Sequence, residues 1–162
     1  MDIRETAQLN KQNDYYLSYL LKTLPNVRIL NCSNTTYSES YHAKKLSIQT
    51  STTALLKSSN IVSQYDVIDI DTNEEEVMAK AFDSTNRGVV IELKNKKGLF
   101  GKTHEAIITN IIKQMAKCGF NIRFLKMLEL NNISRYYFIK SGTIVLREGV
   151  NYFNTEYNPK PM

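Results

Sequence analysis

Leu9, Tyr16, Leu17, Leu20 and Leu21 recur at helical spacing, so residues 5–23 read as an amphipathic helix. Pro25 stops it, because proline disfavours the helical conformation in the residue before it. Val27–Leu30 then reads as a short strand, and the small polar run 31–40 as a loop. Residues 42–49 and 53–57 are β-prone, and Tyr65–Ile70 alternates as YDVIDI. Asp71, Thr72 and Asn73 precede three glutamates, an acid-rich first turn that suits the positive end of a helix running to about residue 86. Val77, Met78, Ala81 and Phe82 form its apolar face, and Arg87-Gly88 reads as its stop. Val89–Leu93 is an apolar strand, residues 95–103 a basic loop, and residues 104–118 a helix closed by Gly119. Asn121–Lys126 reads as a strand, and 135–140 with 143–147 as a hairpin around Ser141-Gly142.

Alternating strands and helices predict an α/β fold with a mixed β-sheet flanked by helices. At 162 residues the chain fits a single domain over 1–162. LLKTLPNVRIL (20–30) resembles IKQMAKCGFNIRFL (112–125), and TALLKSSNIV resembles TIVLREGVNYF, which suggests two half-repeats over 10–72 and 73–157.

Hydrophobic residues make up 42% of the chain, enough for an ordinary core and too many for a disordered polymer. No apolar run approaches the roughly 18 residues of a membrane span, and the polar N-terminus does not read as a signal peptide. Cys32 and Cys118 have no metal-site spacing and read as buried free thiols in a reducing, cytoplasmic setting. The net charge of +5 is compatible with a polyanionic partner. Lys45, Lys94, Lys96, Lys97 and Lys102 are the candidate nucleic-acid contacts, because lysines release condensed counterions on binding. Tyr136, Tyr137, Tyr152 and Tyr157 read as core or rim aromatics that could also stack on bases.

The candidate chemistry centres on Tyr41-His42-Ala43-Lys44. Side chains two apart on a strand share a face, so His42 and Lys44 are expected to project together, with Ser58, Ser59 and Asn60 returning toward them on the next strand. An imidazole, an ammonium, a hydroxyl and an amide form a set that suits a phosphoryl group. With AKAFDSTNRGVVIEL (79–93) and CGFNIRF (118–124), this constellation resembles the phospholipase D superfamily. The resemblance implies a metal-free and cofactor-free phosphodiesterase or nuclease acting on nucleic acid. In it His42 attacks phosphorus, while Lys44 and Asn60, with Ser59 beside them, bind the phosphate oxygens. Gln49 stands near the place of the family's acid, and the second half carries no H-x-K, so a homodimer supplying a second His42 would complete the site.

Two other readings stand beside it. Glu92-Leu93-Lys94 resembles the E-x-K strand of PD-(D/E)xK nucleases, with Asp69, Asp71 or Asp83 as the upstream acid that would share Mg²⁺ with Glu92. The other is a degenerate, non-catalytic relative that binds nucleic acid or a protein. His104, beside Thr103 at a helix start, reads as a local surface residue.

Overall fold

The computed structural model describes residues 3–20, 26–33, 40–41, 44–58, 65–94, 101–130 and 132–140. The described elements are α1 (Ile3–Leu20), β1 (Asn26–Cys32), β2 (Ser40–Tyr41), β3 (Lys44–Thr50), α2 (Thr53–Ser58), β4 (Tyr65–Ile70), α3 (Glu75–Asp83), β5 (Thr85–Lys94), α4 (Gly101–Lys117), β6 (Ile122–Leu130) and β7 (Ile133–Lys140). They build one seven-stranded mixed sheet in the order β2-β3-β1-β4-β5-β7-β6, as the alternating pattern predicts. Strands β3, β1, β4 and β5 run parallel, whereas β7 lies antiparallel to both of its neighbours.

Side-chain alternation divides the sheet into two faces. Leu30, Cys32, Ile68, Ile70, Val89 and Ile91 pack on one face against α2, α3 and α4. α4 supplies Ile108, Ile111 and Met115 and α3 supplies Val77, Met78, Ala81 and Phe82, both at helical spacing. Val27, Ile29, Val67, Val90, Tyr137 and Ile139 pack on the other face, where α1 contributes Tyr16 and Leu17.

Local chemistry fixes the element ends. Gly119 takes a left-handed φ of 91° after α4. The Phe120 N–H reaches back to the Met115 carbonyl at 2.8 Å and the Gly119 N–H to Ala116 at 3.0 Å, a Schellman closure that only glycine enters without strain. At the start of α3 the Thr72 hydroxyl accepts from the Glu74 N–H at 3.1 Å. Lys57 on α2 bonds Glu74 and also pairs with Glu76 at 3.3 Å, joining α2 to α3.

Two expectations from the sequence are corrected here. Residues 53–57 are not a strand, because the Thr52 hydroxyl accepts from the Leu55 N–H at 3.1 Å and starts α2. Nor does Arg87-Gly88 end a helix: α3 closes at Ser84, and β5 begins at Thr85. The register slips by one residue between Tyr65↔Thr85 and Val67↔Gly88, a bulge held by the Thr85 hydroxyl, which donates to the Asp66 carbonyl at 2.7 Å. Gly88 therefore faces α1 from inside a strand, with Tyr16 directly above it.

Candidate functional site

The connection leaving β1 leads to β3 on one side, while β4 lies on the other, so the winding reverses between β1 and β4. In open α/β sheets a ligand binds in the crevice that such a reversal opens outside the carboxyl ends of the strands. Here the rim is Asn31-Cys32-Ser33 from β1 and Asp69-Ile70-Asp71 from β4. The Asn31 side-chain oxygen accepts from the Ser33 N–H at 3.1 Å and the Ser33 hydroxyl at 3.0 Å, a local turn that carries the chain out of the sheet. The Ser51 N–H donates to the Asn31 carbonyl at 2.9 Å and ties the end of β3 to the same rim. Asp71 is exposed. Cys32 is buried, and its thiol is pushed up to about 12, first by burial and then by the charges of Asp69 and Asp71. A buried thiol raised in this way is a poor nucleophile at neutral pH.

Beneath the rim, on the α1 face, lies a buried ionic cluster. Arg135 on β7 is fully buried. Its guanidinium donates to Asp69 Oδ2 at 2.9 Å and to Glu92 Oε2 at 2.6 Å. It also donates to the Tyr137 hydroxyl at 3.1 Å and reaches Asn13 Oδ1 of α1 at 3.4 Å. The Tyr137 hydroxyl in turn donates to Asn13 Oδ1 at 2.8 Å. Tyr16 stacks tilted on Tyr137 with ring centroids 4.9 Å apart, and its hydroxyl donates to the Phe138 carbonyl at 2.5 Å.

A second polar cluster lies on the opposite face, where α4 begins and β6 ends. His104, only 7% exposed, places Nδ1 2.7 Å from the Tyr136 hydroxyl. Its Nε2 lies 3.6 Å from Glu129, whose side chain is 54% exposed. His104 is thus a buried, partnered residue rather than the surface residue its sequence position suggests. Cys118 likewise proves exposed, against the expectation of a buried thiol.

The buried hydroxyls and thiol give a pH prediction. Burial, followed by the charges of Tyr137 and Asp69, holds the Tyr16 hydroxyl well above its ordinary 10.0, and burial raises Tyr137 as well. Groups raised in the fold contribute stability that is present below their unfolded values and lost as pH climbs through the folded ones. Lys140 is lowered by burial and works in the opposite direction. The urea midpoint should therefore fall once the pH passes the ordinary thiol value of 9.0 and fall further above 10.0. Cys32→Ala should delay the onset. A midpoint that stays flat to about pH 11 would show that these groups ionise freely in the fold.

The residues chosen from sequence fare unevenly. His42, Ser59, Asn60, Lys96 and Lys97 lie outside the described residues, as do residues 143–147 and Tyr152 and Tyr157. Lys44 and Lys45 start β3, with backbone register to Tyr41 and to Asn26. Lys102 lies in the first turn of α4, and Lys94 is exposed at the end of β5. Tyr136 and Tyr137 are core residues. Asp69 and Glu92 do converge, as the metal-nuclease reading expects, but a guanidinium sits between them. Among the described residues no group of three or more His, Cys, Asp or Glu is placed to hold a metal ion. No helix among them is long and apolar enough to cross a membrane.

No protein-family model matches the sequence, and no curated protein matches it either. Solved structures do resemble the fold. Magnesium protoporphyrin IX methyltransferase from Synechocystis PCC 6803, with bound SAH, aligns over 85% of this chain and 84% of its own at a TM-score of 0.53 and 13% identity. The same enzyme with bound SAM aligns over 86% of this chain and 81% of its own, at a TM-score of 0.53 and 14% identity. The chain has an α/β fold similar to that of this methyltransferase.

That likeness overturns the phospholipase D resemblance and the nuclease readings attached to it. The physical grounds agree. The family's second motif needs Ser58-Ser59-Asn60 at the end of a strand, but Ser58 closes helix α2. It needs Arg-Gly-Val between a helix and a strand, but Arg87 and Gly88 lie inside β5. The PD-(D/E)xK reading fails at Asp69 and Glu92, which Arg135 engages. A homodimer that supplies a second His42 has no place without the phosphodiesterase chemistry.

Proposed function

We propose that the protein binds an S-adenosylmethionine-type ligand at the carboxyl ends of β1 and β4 and transfers its methyl group to a nucleophile. The observation that carries this reading is the sheet itself: a winding reversal between β1 and β4, with a reversed β7 inserted beside β5. A methyltransferase solved with SAM and with SAH has a similar fold. The rim chemistry fits such a ligand. A sulfonium is a cation, and the exposed Asp71 supplies a carboxylate at the rim to face it. When bound, the sulfonium supplies an activated methyl, and sulfur keeps the bonding electron pair as the methyl moves to the acceptor. One feature departs from the usual glycine-rich first turn of nucleotide-binding α/β folds. Residues 31–40 contain no glycine, and small side chains such as Cys32, Ser33, Thr35 and Thr36 stand there instead. A weaker complex than a glycine turn permits is the expected consequence.

Titration calorimetry with S-adenosylhomocysteine tests the reading. Saturable one-to-one binding is expected, with a matching rise in Tm, because a ligand that binds only the native state stabilises it by mass action. Asp71→Ala should weaken binding of S-adenosylmethionine more than binding of the uncharged thioether. Absence of both heat and Tm shift with either compound removes the proposal. A nucleic-acid partner rests on the net charge of +5 and the exposed Lys94. Binding that weakens steeply with salt would support that partner, and salt-independent binding would count against it.

A further inference from the structure

We infer that Arg135 is a positioning residue for the proposed ligand crevice, acting through Asp69 and Glu92 rather than by touching the ligand. This inference rests on the methyltransferase reading above. Asp69 lies on β4 two residues before the exposed rim acid Asp71, and Glu92 lies two residues before the end of β5. The β5–β7 register sets Glu92 opposite Arg135, and the β4–β5 register sets Asp69 opposite Val90.

The guanidinium reaches across this arrangement and bonds one carboxylate on each of two parallel strands. The bridge therefore spans β4, β5 and β7 just below their rim ends. It fixes the relative heights of β4 and β5 at the point where the parallel half of the sheet meets the reversed strand. α1 is tied to the same bridge, since Asn13 Oδ1 accepts from Arg135 and from Tyr137. A fork of rigid donors can hold both carboxylates at once, and a single ammonium cannot reproduce that geometry. Displacement of a binding group by about 1 Å is enough to cost a bound complex much of its productive geometry. The position of Asp71 and its neighbours thus depends on a residue in another part of the sheet.

The test separates positioning from stability. Two variants are compared with wild type by S-adenosylhomocysteine calorimetry and by Tm: Arg135→Lys, and the uncharged triple Arg135→Met with Asp69→Asn and Glu92→Gln. The triple removes the ionic bridge while leaving no buried charge unpaired. Both variants are expected to keep a cooperative melt and to bind at least tenfold more weakly. A twofold or smaller change in Kd in a folded variant overturns the inference and assigns Arg135 a purely structural role. If the triple does not fold, Arg135→Lys alone decides by the same criterion. Wild-type protein that binds neither S-adenosylhomocysteine nor S-adenosylmethionine overturns the methyltransferase reading and this inference with it. Wild-type binding with an unchanged Arg135→Lys variant overturns the inference alone.

Discussion

Gly88→Ala is expected to destabilise the protein by at least about 3 kcal/mol, the upper end of what overpacking costs in a close-packed core. An added Cβ would stand 2.1 Å from the Tyr16 hydroxyl oxygen, 2.4 Å from the Phe138 carbonyl oxygen and 3.2 Å from the Tyr16 ring. Neither of the two nearest atoms can move cheaply. The Phe138 oxygen belongs to the backbone of β7, in register with β5 through Val89↔Phe138 and Gly88↔Ile139. The Tyr16 hydroxyl donates to that same oxygen, so ring and carbonyl are held against each other over the glycine. Relief requires α1 to lift from the sheet or β7 to part from β5. Chemical unfolding with urea checks the expectation. Adding Tyr16→Phe should recover only part of the loss, because removing the hydroxyl takes away the 2.1 Å contact but leaves the carbonyl at 2.4 Å. Full recovery would show that Tyr16 alone sets the limit, and a loss below about 1 kcal/mol would show that α1 sits less tightly on β5.

The same glycine shows where sequence reading succeeds and where it fails. Helices α3 and α4 are both legible as helices in the sequence, and on α3 the residues picked out as its apolar face, Val77, Met78, Ala81 and Phe82, are the buried ones. Strand β4 is legible from its alternation, and its neighbour β5 from its apolar run. Gly88 is misread because Arg-Gly after an amphipathic helix looks like a helix stop, whereas its reason is a contact with Tyr16, 72 positions earlier in the chain (88 − 16). α2 is misread because six residues are too few for periodicity to speak, and its start depends on one threonine hydroxyl. The crevice could not be placed at all without the strand order, since the reversal between β1 and β4 is a property of topology and not of any motif. His42 and Lys44 stand out in the sequence because they are two apart on a β-prone segment, and His42 lies outside the described residues. Asp69, Glu92 and Arg135 meet in space although Arg135 follows Glu92 by 43 positions and Asp69 by 66. A signal for them was nevertheless present. Each is a charge flanked on both sides by apolar or aromatic strand residues, or by Ser and Tyr at Arg135, in YDVIDI, VVIELK and SRYYFI. A charge forced into a core must find a partner, so charges on the buried face of separate strands predict one another.

That rule has a measurable consequence for stability as well as for binding. Arg135→Met should cost about 3–5 kcal/mol, the usual penalty for removing one partner of a buried ion pair. The loss is not the worth of two hydrogen bonds, which is smaller. It comes from leaving Asp69 and Glu92, one fully buried and the other nearly so, without the guanidinium that both engage. Since the cost lies in the stranded carboxylates, neutralising them should restore most of it. Asp69→Asn with Glu92→Gln in the Arg135→Met background is expected to bring the urea midpoint back to within about 1 kcal/mol of wild type, as happens when buried ionic clusters are exchanged for uncharged side chains of similar size. Asp69→Asn or Glu92→Gln alone, with Arg135 intact, should cost less than Arg135→Met, because the guanidinium keeps one carboxylate and its contacts with Tyr137 and Asn13. The order of stabilities then distinguishes two kinds of cluster. Wild type near the neutral triple, with Arg135→Met far below both, means that the ionic bridge adds little net stability. A charged arrangement that adds little stability yet ties together β4, β5, β7 and α1 earns its place through geometry, which is the property the crevice above it needs. If instead the triple is no more stable than Arg135→Met, the bridge itself holds the sheet together, and repulsion between the two carboxylates is not what Arg135 relieves.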